Sequence, residues 1–172
     1  NLLLSSGRDT AIQGSTLISK RDMHISAGRD LHIVSAENTT HSSQVSRTVK
    51  KGEIGKFWAP DTGRAMQNTE TQQQTIRQQG SQLQAGSEFS AIAGQDLGLL
   101  ASTIDAGRSA TLVAGGAVEV LAAQNLDNQL SDGKSKGSLG SKGIKIDERT
   151  QVTHIGSSIT SGGDLAIISG DG

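Results

Sequence analysis

Residues 26–36 read SAGRDLHIVSA, and residues 93–104 read AGQDLGLLASTI. Each has a glycine, an acid two positions later, apolar residues at alternate positions, and a small residue to close. Alternation with period two is the pattern of a strand with one face buried, and the flanking small residues suit tight corners. Anchored on the residue two before the usual acid, the unit recurs at Gly7, Lys20, Gly28, Gly86, Gly94, Gly107, Gly115 and Gly162. Gly7 to Gly28, Gly86 to Gly107 and Gly94 to Gly115 are each 21 residues, made of an 8-residue and a 13-residue interval. Two intervals are longer by 45 and 34 residues, and the alternation of short and long resumes after each. A fixed period of this size marks a repeat architecture rather than a local turn.

A 21-residue unit of about three short strands cannot bury its own inward side. Stacked at the strand spacing of about 4.8 Å, successive units hydrogen-bond in parallel and set like residues over like. The pattern predicts an all-β chain, a right-handed parallel β-helix with rungs of about 21 residues. The hand is taken from the preference of parallel crossovers. Residues 1–172 read as a single β-helix fragment of a longer repeat array, with Ile12, Ile33, Leu112 and Ile167 expected in one apolar ladder. The long intervals, about 37–79 and 124–155, read as two extruded β-hairpin arms rich in Thr, Val, Ile and Gln. They leave the same type of corner two rungs apart, so their strands are expected to pair in one four-stranded antiparallel layer.

Composition narrows the function. The formal charge of −1 gives no global field for nucleic acid, and no nucleic-acid partner is expected. With no cysteine, thiolate metal sites are excluded. Asp9, Asp22, Asp30, Glu88, Asp96 and Asp164 recur two after their anchors, but the period is not that of a calcium-binding β-roll. They read as turn caps bonding nearby backbone amides, with Arg8, Arg21 and Arg29 as counter-charges. His24 and His32 lie on the outward side of their strands, and no ligand set completes them. No metal, cofactor or catalytic group is expected. A β-helical polysaccharide-degrading enzyme is the enzymatic rival, yet such grooves want aromatic platforms and paired carboxylates. The aromatic residues here are Phe57, Trp58 and the inward Phe89 alone, so a non-enzymatic role is expected.

The units GRDLHIVSA, GQDLGLLAS, GRSATLVAG and GGDLAIISG, interrupted by polar stretches such as NTETQQQTI, resemble the haemagglutinin repeats of filamentous-haemagglutinin-type, two-partner-secretion exoproteins. Lys20 at a glycine position, and Ser109 and Ala117 at acid positions, depart from the pattern. The resemblance implies a structural and adhesive rod segment of a secreted protein at the surface of a Gram-negative cell. Such a parent is an adhesin or a contact-dependent growth-inhibition toxin, exported through an outer-membrane partner. The rod would space or present adhesive or toxic domains toward a host or target bacterial surface of glycan, lipopolysaccharide or lipid. The fragment itself is expected to be monomeric.

Charge within the chain is segregated. Residues 44–66 carry a net +3 and residues 131–149 a net +2, which leaves −6 for everything else. The candidate surface-contact residues are therefore Lys50, Lys51, Lys56, Phe57, Trp58, Lys134 and Lys136. Phe57 and Trp58 sit at the expected tip of the first arm, where an aromatic pair either serves a contact or folds back on its own arm.

Overall fold

The computed structural model describes residues 1–54, 61–137 and 141–170. Among them the regular structure is strand throughout. The chain runs β1 (Leu2–Ser6), β2 (Thr10–Gln13), β3 (Thr16–Ser19), β4 (Met23–Ala27), β5 (Leu31–Val34), β6 (Ala36–Ile54), β7 (Asp61–Gln79) and β8 (Gln82–Ala85). It continues through β9 (Glu88–Ala93), β10 (Leu97–Leu100), β11 (Thr103–Ala106), β12 (Ser109–Ala114), β13 (Val118–Leu121), β14 (Ala123–Lys136), β15 (Lys142–Ile155), β16 (Ser158–Ser161) and β17 (Leu165–Ser169). Two compact units result. One comprises residues 1–38, 77–125 and 153–172; the other comprises 39–76 and 126–152.

The first unit consists of three parallel sheets, the arrangement of a β-helix. Their orders are β1-β4-β9-β12-β17, β13-β10-β5-β2 and β16-β11-β8-β3. In the first sheet Leu4 pairs with Ile25, Ile25 with Ala91, Ala91 with Leu112 and Leu112 with Ile167. In the second, Ile12 pairs with Ile33, Ile33 with Leu99 and Leu99 with Val120. In the third, Leu17, Leu83, Ile104 and Ile159 stack in turn. Inward residues of all three sheets join one apolar core. Its larger members are each worth about 1.5–3 kcal/mol of transfer free energy.

The expected single ladder of Ile12, Ile33, Leu112 and Ile167 is corrected. Ile12 and Ile33 belong to the second sheet, Leu112 and Ile167 to the first. Because 8- and 13-residue intervals alternate, successive anchors fall on different walls, and only every second one lies over its like. In the first sheet some large residues lie over small ones. Phe89 pairs with Ala110 and Ala91 lies between Ile25 and Leu112, so a small residue gives the space its large neighbour takes.

Glycine at the corners has a steric cause. A Cβ on Gly28 would lie 2.3 Å from the Gly7 carbonyl oxygen, one on Gly94 2.2 Å from that of Gly28, and one on Gly115 2.2 Å from that of Gly94. The second corner repeats this from Lys20 through Gly86 and Gly107 to Gly162. Lys20 contributes its carbonyl oxygen to the stack at 2.2 Å from the position of a Gly86 Cβ. The close approach is what lets each glycine amide bond the rung beneath, as Gly94 does to the Ala27 carbonyl at 3.0 Å.

The third corner carries a column of serines that periodicity alone did not single out. The Ser15 amide donates to Ser81 Oγ at 3.2 Å, the Ser81 amide to Ser102 Oγ at 3.1 Å, and the Ser102 amide to Ser157 Oγ at 3.2 Å. Ser81 Oγ in turn donates to the Val34 carbonyl at 2.8 Å and Ser157 Oγ to that of Leu121 at 2.7 Å. Ser81 and Ser102 are fully buried, and these bonds compensate the cost of enclosing their hydroxyls. The signal was present as the recurring pairs Gly14-Ser15, Gly80-Ser81, Ala101-Ser102 and Gly156-Ser157. At this corner β2 passes directly to β3 and β10 directly to β11, whereas β6 and β7, or β14 and β15, intervene between the other strand pairs. Gln78 is bonded within the first unit. It accepts from Ser35 Oγ at 2.8 Å, and its amide donates to Asn125 Oδ1 at 2.7 Å.

The second unit is a four-stranded sheet of order β15-β14-β7-β6. β14 and β7 run antiparallel with Leu126 opposite Ile76 and Lys136 opposite Met66. Residues of both long intervals thus share one sheet.

Candidate surface-contact site on the four-stranded sheet

Three of the recurring carboxylates, Asp9, Asp30 and Asp96, are used structurally. Asp9 accepts the Asp30 amide at 3.4 Å, Asp30 the Asp96 amide at 3.2 Å, and Asp96 the Ala117 amide at 2.9 Å. Each of these aspartates therefore caps a backbone amide, and the amide belongs to the equivalent turn one rung on. Arg29 adds a two-pronged pair to Asp9, at 2.6 and 3.0 Å. That hydrogen bond holds the Asp9 carboxyl below its ordinary range and raises Arg29 above its own. Among the described residues, no three His, Cys, Asp or Glu side chains come together as a metal site. His24 and His32 are exposed on β4 and β5.

The exposed chemistry of the second unit gathers near the far end of β14. Successive strand residues alternate faces, so Lys134 and Lys136 project on one side. Lys142 and Ile144 of β15 line the same groove, together with Met66 and Asn68 of β7; its volume is about 300 Å³. Asn68 is the cross-strand partner of Lys134, and Met66 that of Lys136. Three lysines thus line one groove together with the apolar side chains of Met66 and Ile144. One has a counter-charge nearby, since Lys134 Nζ is 3.3 Å from Asp132. Ile144 is 72% exposed, which is unusual for so large an apolar side chain.

The structure brings Lys134 and Lys136 together and adds Lys142, Met66 and Ile144, which sequence reasoning had not grouped with them. The missed signal was the pairing of β14 with β15, which brings Lys142 into the same groove as Lys136. Lys50 is exposed on β6 and does not line this groove. The Lys51 side chain, and Lys56, Phe57 and Trp58 altogether, lie outside the described residues. A second groove of about 430 Å³ on this sheet has His41, Gln72, Gln74, Asn128, Leu130 and Glu148 among its walls.

Stacked parallel sheets with inward apolar ladders and capped corners define a β-helical repeat protein. The chain belongs to the hemagglutinin-repeat family, whose pattern matches residues 1–51 and 62–152. It is also 25% identical, over 146 residues, to the 16S rRNA endonuclease CdiA of Enterobacter cloacae subsp. cloacae. That match covers 84% of this chain and 4% of the relative. No solved structure matches the chain.

Proposed function

We propose that this chain is a structural and adhesive rod segment of a secreted surface exoprotein of a Gram-negative bacterium, of the adhesin or contact-dependent growth-inhibition type. In this reading the first unit is a right-handed coil of about 21-residue rungs, and the strand pairs β6–β7 and β14–β15 are hairpin arms extruded from it. The rod spaces or presents adhesive or toxic domains of its parent, which an outer-membrane partner exports. One observation carries the reading: Leu2 with Met23 in the first sheet, Ile12 with Ile33 in the second and Leu83 with Ile104 in the third each fall 21 positions apart. A stack so regular extends a chain without needing a site of its own. The endonuclease named for the relative is a property of that protein. Here the Asp9, Asp30, Asp96, Ser81 and Ser102 side chains are bonded to the fold.

Contact with a target surface falls to the arm sheet, through Lys134, Lys136 and Lys142 beside Met66 and Ile144, joined by Lys50, Lys51, Lys56, Phe57 and Trp58. Lysines beside apolar side chains suit an anionic headgroup layer, each lysine near such a surface contributing about 1 kcal/mol. Co-sedimentation with phosphatidylglycerol vesicles tests this, with phosphatidylcholine vesicles as the neutral control. Binding is expected to anionic vesicles at low salt, to be lost at high salt, and to weaken about 100-fold when Lys134, Lys136 and Lys142 are all changed to alanine. Absent binding, salt-insensitive binding, or binding unaffected by the three substitutions would overturn the assignment.

A further inference from the structure

Among the described residues β15 has one neighbour in its sheet, β14. It is therefore an edge strand of 14 residues, with one row of backbone amides and carbonyls unpaired by the sheet. Long edges of this kind are usually blunted by proline, by a bulge, by a covering element or by charged side chains, lysine above all. β15 has no proline, and its residues through His154 are exposed, including Ile144 and Ile146 at 72% and 65%. It carries a compact charge pattern, Lys142, Lys145, Asp147, Glu148 and Arg149. Lys145 and Asp147 project on one face and form an ion pair of 2.7 Å, with both side chains mostly open to solvent.

We propose that β15 is an interface for a second copy of this chain, joined edge to edge and antiparallel about a two-fold axis at Ile146. In that register Lys145 of each copy faces Asp147 of the other, and the two Ile146 side chains face one another. With the existing pair within each strand, two lysines and two aspartates form a closed square of alternating charge. Directly opposed unlike charges and apolar pairs each contribute favourably, and like charges oppose pairing. Shifting the axis to Lys145 sets two ammonium groups opposite each other, and shifting it to Asp147 sets two carboxylates so. Ile146 is thus the axis, among these three, at which no like charges are opposed. Gly143 then faces Arg149 and leaves room for the guanidinium. The same patch on both copies closes the assembly at two, which a pairing of β15 with β6 of another copy does not. This replaces the expectation of a monomer.

Sedimentation velocity on the 172-residue chain, from micromolar to roughly 1 mM, tests the proposal, since about 4 kcal/mol of association suffices at the upper end. A monomer–dimer equilibrium is expected. K145D alone opposes four carboxylates and D147K alone four ammonium groups, so each is expected to be monomeric. An equimolar mixture of the two is expected to form a heterodimer, and the double variant K145D/D147K to recover the dimer. Circular dichroism identical to the parent checks that each variant is folded; the swaps lie on exposed positions. A monomer at every concentration overturns the proposal, as does a dimer indifferent to both single swaps. Open-ended polymers, or single-swap monomers that neither the mixture nor the double variant restores, overturn it equally.

Discussion

Ile33→Asp is expected to abolish the cooperative thermal transition of the first unit, or to lower its midpoint by about 15 °C or more. Ile33 is fully buried and sits between Ile12 and Leu99 in the second sheet's ladder. A carboxylate there has apolar neighbours on both adjoining rungs and loses its hydration without gaining a partner. Such burial costs several kcal/mol, a large share of the 5–15 kcal/mol that holds a typical domain. The outward neighbour His32 supplies the contrast. It is exposed, and His32→Asp is expected to shift the midpoint little. Thermal unfolding followed by circular dichroism reads both, and equal effects would mean that the inward and outward faces are misassigned.

Gly94→Ala adds a single methyl group, yet is expected to destabilise by about 2–4 kcal/mol. The new Cβ would stand 2.2 Å from the Gly28 carbonyl oxygen, a distance no real contact tolerates. Both atoms belong to backbone held in the rung-to-rung ladder, so neither can swing aside. Relief requires parting the rungs at a corner where the Gly94 amide bonds the Ala27 carbonyl. Gly7→Ala is the matched control, because a Cβ there meets nothing within 4 Å. That variant is expected to be neutral or slightly more stable, since alanine restricts the unfolded chain. Urea midpoints for the two proteins measure the difference. Parity between them would contradict the stacking of the glycine corners.

The parts of this fold legible in sequence are those that repeat. Ile25, Ile33, Leu99 and Leu112 announce themselves by alternation, and Gly28, Gly94 and Gly115 by their spacing, because stacking imposes the same demand on every rung. What repetition hid was which wall each unit builds. Ile33 and Leu112 occupy the same place in the repeat yet pair in different sheets, since the unit of alternation is half a rung. Ser81 and Ser102 went unread for a related reason. A small polar residue beside a glycine suits any exposed turn, and only the approach of neighbouring rungs turns its hydroxyl into a buried link. The long intervals were legible as interruptions of the period. The groove of Lys134, Lys136, Lys142, Met66 and Ile144 was legible only in part, because it depends on the cross-strand register of β7, β14 and β15 rather than on any local motif.

The stacking of rungs 21 residues apart, with a phase kept across an intervening strand pair, can be tested by cysteine pairing in a chain that has no cysteine of its own. Ser5 and Ser26 are register partners on the outward face of β1 and β4, with their hydroxyls 3.0 Å apart. Thr111 and Ala166 are partners on β12 and β17, with β14 and β15 between them in sequence. Ser5→Cys with Ser26→Cys, and Thr111→Cys with Ala166→Cys, are each expected to form an intramolecular disulfide under mild oxidation, seen by mass spectrometry of the digested protein. Ser5→Cys with His24→Cys, two residues out of register on the same face, is expected to remain reduced. Efficient closure of the shifted pair, with the two in-register pairs left as free thiols, would contradict the stacked-rung account.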